Sequence, residues 1–90
     1  MPDDDTLATA REARRRLDKN ADDPDALLVL ALLYAMLSEY GTSLRFLDRL
    51  VRVFPGYPGA LRLKAQLHRQ NGEEEMAARC EETALRTDGA

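Results

Sequence analysis

The chain reads as an all-α protein of about five helices, laid down as antiparallel pairs, and three observations predict it. Residue types recur at a fixed offset of 34: Pro24 and Pro58, Leu27 and Leu61, Ala31 and Ala65, Tyr34 and His68, Ser43 and Ala77, Leu50 and Ala84, Val51 and Leu85. A fixed period of 20 to 50 residues is the mark of stacked supersecondary units. Each copy carries the same punctuation, with proline where a helix would open, a polar turn midway and proline or glycine near the end. Between these breaks the apolar residues fall at helical spacing, as Leu7, Ala10, Ala13 and Leu17 do.

Thr6 is expected to cap an N-terminal helix over residues 6–20. Asp23 can accept from the free amides of the next first turn, and Pro24 presets φ where its missing N–H does no harm. That helix should run from Pro24 to about Glu39. Gly41 can take a left-handed backbone in the connection that follows, with Thr42 or Ser43 capping a helix that reaches about Phe54. Pro55-Gly56-Tyr57-Pro58 breaks the chain. Pro58 should open a further helix to about Gln70, and Asn71-Gly72 should turn into a last one, whose positive end suits Glu73, Glu74 and Glu75. The organisation predicted is one domain over residues 1–90: the N-terminal helix (6–20), a first repeat (24–57) and a second (58–90). The small residues Ala31, Ser43, Ala65 and Ala77 fall where antiparallel helices must cross closely.

Ninety residues, 44% hydrophobic and 32% charged, suit one small folded domain and not a disordered or membrane-spanning chain. A net charge of −3 argues against a dedicated nucleic-acid binder, which needs a basic face to neutralise phosphates. The single cysteine, Cys80, excludes an internal disulfide framework, and Met1-Pro2-Asp3-Asp4-Asp5 does not open a secretory leader, so a cytoplasmic location is expected. Eleven arginines against two lysines suit a GC-rich bacterial genome.

Leu27, Leu30, Ala31, Tyr34, Ser43, Leu47, Leu50 and Pro55 resemble the tetratricopeptide repeat at its own spacing, with leucine for both aromatics. The second copy reads Leu61, Lys64, Ala65, His68, Ala77, Glu81, Ala84 and Gly89, a more polar set that suits a terminal, capping repeat. The resemblance covers residues 24–90, and the N-terminal helix is similar to the second helix of a truncated preceding repeat. It implies a short right-handed α-solenoid whose concave face binds protein. Carried over, the groove-facing places are Asp25, Leu28, Leu32, Ala35 and Met36, then Gly59, Arg62, Gln66, Arg69 and Gln70. The carboxylate clamp of chaperone-binding members uses lysine and asparagine where this chain has Leu28 and Leu32, so that specificity is not expected.

Residues 26–37 contain no charge and no amide, and a helix apolar all round must be covered on all sides. Twelve residues are too few to cross a bilayer. Leu28, Leu32 and Met36 are therefore expected to need a cover beyond the neighbouring helices, with Ala35 beside them, Arg62 and Arg69 selecting an acidic or carboxylate-bearing partner end, and Gln66 and Gln70 completing the partner-binding set. Three occupants stay open: a peptide or amphipathic helix of a partner, a second copy in a homodimer, or the N-terminal helix itself. In size the chain also resembles small secretion chaperones that shield a hydrophobic subunit.

No catalytic, cofactor or metal site is predicted. Consecutive carboxylates at Glu73 to Glu75 point in different directions, no phosphate-binding glycine loop or Ser-His-Asp set is present, and Cys80 lacks a neighbour that would activate it. Oxidation between copies on storage is the one chemistry expected of Cys80. His68, at the tyrosine place, is expected to pack between helices. The run Arg11, Arg14, Arg15, Arg16 and Lys19 is diluted by acids and has no interleaved aromatics for base stacking, so it reads as solvated helix face.

Overall fold

The computed structural model describes residues 3–88 as five helices, with no strand among the described residues. They are α1 (Asp4–Lys19), α2 (Pro24–Met36), α3 (Tyr40–Val53), α4 (Ala60–Gln70) and α5 (Glu74–Asp88). Each packs on the next in sequence. The Cα extents are 36 × 26 × 16 Å. Three layers of helices about 8 to 10 Å apart would need more than the shortest dimension, so no helix is ringed on all sides.

The caps explain the boundaries. The carboxylate of Asp3, not Thr6, opens α1 by accepting from the Thr6 amide at 2.8 Å, which puts Thr6 inside the helix and starts it two residues earlier than expected. Asp23 accepts from the Ala26 amide at 3.1 Å with Pro24 in the first turn, as the sequence predicts.

The connection after α2 departs from expectation. α2 stops at Met36, and the left-handed residue is Ser38 (φ 59°), whereas Gly41 lies within α3. Glu39 donates to the Tyr34 carbonyl (2.9 Å) and Ser38 to that of Ala35 (3.0 Å), the paired bonds of a Schellman close. Gly72 (φ 80°) does the same after α4, with Glu73 donating to His68 and Gly72 to Arg69. Neither Thr42 nor Ser43 caps α3. Ser43 is fully buried and its hydroxyl donates to the Ala31 carbonyl at 2.6 Å.

α4 begins at Ala60, two residues after Pro58. Tyr57 stands where the first copy has the capping Asp23, and it has no carboxylate for a first-turn amide. The chain instead makes a turn with Pro58 second and Gly59 (φ 79°) third, closed by Ala60 donating to the Tyr57 carbonyl at 3.2 Å. The Tyr57 hydroxyl donates to Asp25 at 2.8 Å and pins this loop to the start of α2.

The core has two parts. Leu27, Ala31, Leu44, Leu47 and Leu50 of α2 and α3 close over Ala60 and Leu67 of α4. Ala13 of α1 closes over Ala26 and Leu30, with Leu17, Val29 and Leu33 around them. Each fully buried leucine contributes about 1.5 to 3 kcal/mol by its removal from water. Ala31, Ser43, Ala65 and Ala77 are all buried, as the expected close crossings require. Gly89, matched to Pro55 in the repeat alignment, lies outside the described residues.

Candidate functional site: an apolar stripe and two clefts

α2 turns its apolar residues in every direction, and the neighbouring helices cover them unequally. Its Ala26, Leu30 and Leu33 side meets α1, and its Leu27 and Ala31 side meets α3 and α4. What remains is a stripe on which Leu32 is 42% and Met36 71% exposed, continued by Leu37 at 50%. Leu28 does not belong to it: this side chain is half-buried and packs with Ala35 against the cluster that seats α4. α1 packs on the Ala26, Leu30 and Leu33 side, with Met36 and Leu37 bordering the cleft it forms with α2, and leaves Leu32 exposed.

The polar residues assigned to the same face sit on α4, all exposed. Arg69 donates to Glu74 at 3.1 Å and also pairs with Glu81, contacts that raise its pKa, the Glu74 hydrogen bond contributing most. Arg62, Gln66 and Arg69 line a cleft of about 310 Å³ between α4 and α5, floored by Ala65 and Ala84 and edged by Leu85. Gln70 and Leu28 are not among its lining residues. The sequence-assigned residues thus divide between two places: Leu32 and Met36 on the α2 stripe, and the arginines with Gln66 in the α4–α5 cleft.

A third feature was not predicted. α1 and α2 enclose an apolar cleft of about 340 Å³ lined by Leu7, Ala10, Leu33, Tyr34, Met36 and Leu37, among others. Ala10 occupies the place that Leu44 holds one copy later, and the missing leucine leaves the space. The signal lay in the repeat offset applied to α1. Tyr34 stacks on Phe46 with centroids 5.6 Å apart, and its hydroxyl accepts from Arg14 at the rim.

The basic stretch of α1 is largely engaged within the chain. Arg16 holds Asp23 through two hydrogen bonds of 3.0 and 3.1 Å, Arg15 pairs with Glu12 and Arg14 serves Tyr34. The Ala26 amide, with Arg16 beside it, keeps the Asp23 carboxyl below its ordinary value.

His68 is buried, and its Nδ1 lies 3.1 Å from Glu73, tying the end of α4 to the start of α5, while Nε2 has no hydrogen-bond partner. Hydrogen bonds from Asn71 and then His68 hold Glu73 below the usual carboxylate value. Cys80 is buried, and that burial pushes its thiol pKa up. The oxidation between copies expected from the sequence therefore requires local opening first. Among the described residues no group of three or more His, Cys, Asp or Glu is placed to hold a metal ion, and no helix is long and apolar enough to cross a membrane. No family model, curated protein or solved structure matches the chain.

Proposed function

We propose that the protein is a recognition module without catalysis, a short tetratricopeptide-like solenoid that binds a peptide or amphipathic helix of a partner protein across α2 and α4. One observation carries this reading: on the charge-free segment of α2, Leu32, Met36 and Leu37 stay exposed after α1, α3 and α4 have packed. Grouped apolar exposure of this kind on a small domain marks an interaction surface. Leu32 and Met36 supply the apolar anchor. Leu28 and Ala35 pack beside it against the core, while Arg62, Gln66, Arg69 and Gln70 offer hydrogen-bonding groups on α4, apart from the stripe. The 34-residue offset, the pairwise helix packing and the buried small residues support the solenoid reading.

Light scattering after size exclusion at micromolar concentration, with wild type and Leu32→Glu, tests the mode of use. A monomeric wild type with a solvent-accessible stripe agrees with a separate partner. A stable dimer that Leu32→Glu abolishes assigns the stripe to self-association instead. A dimer that survives the change removes the stripe from the interface.

A further inference from the structure

We propose that the groove between α4 and α5 is a seat for an α-helix of another polypeptide, one presenting small or leucine residues along a seam with a basic residue beside them. The warrant is the chain's own repetition. Leu28, Ala31, Ala35, Leu47, Leu50 and Val51 of α2 and α3 belong to the cluster that receives α4 through Ala60, Leu63 and Leu67. Advancing those six by 34 gives Arg62, Ala65, Arg69, Glu81, Ala84 and Leu85, which together line the α4–α5 cleft. One copy later, the surface that holds α4 in the first repeat is present and carries no helix of the described chain.

The floor stays open to close approach: Ala65 repeats Ala31, Ala84 replaces Leu50 with a smaller side chain, and both are buried, which allows a helix axis to come close. The rim shows what an occupant would cover: Val51 is half-buried in its seat, whereas Leu85 is 67% exposed. The electrostatic key is kept as well. Lys64 of α4 pairs with Asp48 of α3 at 2.8 Å, and the residue 34 after Asp48 is the exposed carboxylate Glu82, which pairs with Arg86, one turn on in its own helix. A helix seated here with a lysine at the place of Lys64 would find its acid waiting. Arginine, arginine and glutamate (Arg62, Arg69 and Glu81) in place of Leu28, Ala35 and Leu47 make this seat wetter than the first, which suits a reversible partner more than a permanent core.

The natural probe is α4 itself. A capped synthetic peptide of residues 57–71 should produce saturable amide shifts in the ¹⁵N-labelled protein, centred on Ala65, Gln66, Ala84 and Leu85. Leu85→Glu, a change at an exposed side chain, should weaken binding about tenfold or more with an unaltered melting temperature. Leu32→Glu, which disables the α2 stripe, should leave it within about twofold, so this seat and the stripe fail independently. A peptide with Lys64→Glu should bind less well at low salt. Absence of saturation at about 1 mM peptide, shifts confined to α1 and α2, or indifference to Leu85→Glu would overturn the proposal. Self-association of the protein alone that Leu85→Glu breaks would place a second copy in the groove and overturn the assignment to a separate partner.

Discussion

Ser38 and Gly72 hold the same position in successive copies, the left-handed residue that closes the first helix of each pair, at φ 59° and 80°. Both helix ends are completed by the same pair of backbone hydrogen bonds. Serine bears a Cβ that crowds its carbonyl in this conformation, a cost that glycine does not carry. Ser38→Gly should therefore raise stability by about 1 kcal/mol, and Gly72→Ala should lower it by a similar amount. A Cβ at Gly72 would meet no atom within 4 Å, so the penalty there is one of backbone alone. Urea unfolding of both variants checks the pair; equal signs would contradict the assigned turns.

Ala31 is fully buried where α2 crosses α3, with the Ser43 hydroxyl on its carbonyl. Ala31→Trp should force the helices apart and cost about 3 kcal/mol or more, whereas Arg52→Ala, at an exposed site, should change stability by less than about 0.5 kcal/mol. Thermal melts of the two side by side test the register.

Much of the fold was legible in the sequence, for reasons that these residues show. The offset of 34 singled out Ala31, Ser43, Ala65 and Ala77, all of them buried, because close approach of helix axes tolerates few residue types. Asp23-Pro24 marked its helix start because both residues act locally. Ser38 was missed because serine gives no left-handed signal and Gly41, three residues on, drew the assignment. The start of α4 was misplaced because Pro58 looks the same at a helix opening and in a turn; only the missing cap at Tyr57 separates them. At the candidate site, the length of the uncharged run predicts that Leu32 and Met36 stay exposed, and both do. Leu28 was misjudged because its cover comes from α4, a contact that no local pattern encodes.

Asp3, Asp23 and Glu73 each accept hydrogen bonds in the folded chain and titrate below their ordinary values. A carboxyl whose folded pKa is lowered binds fewer protons folded than unfolded. Its contribution is complete above the unfolded value, near 3.8 for aspartate and 4.5 for glutamate, and is lost as pH falls through the folded value. The melting temperature should hold down to about pH 5 and then decline. Asp23→Asn, which keeps an acceptor for the Ala26 amide, should flatten that decline and destabilise less at neutral pH than Asp23→Ala. A steeper acid limb in Asp23→Asn would contradict the assignment.

Ala10→Leu should fill the cleft between α1 and α2 as Leu44 fills the next copy, and raise stability by about 0.5 to 2 kcal/mol. Calorimetry of the variant measures this; a fall in melting temperature would show that the cleft lacks room for the side chain.

The proposed recognition role rests on exposed apolar surface along α2, and a photo-crosslinking residue placed at Met36, with position 52 as control, tests it most directly. In the native cell, irradiation should join position 36 to a discrete polypeptide, a product absent from position 52 and lost when Leu32→Glu is added. Equal, diffuse labelling at both positions, from protein whose circular dichroism remains helical, would contradict the account.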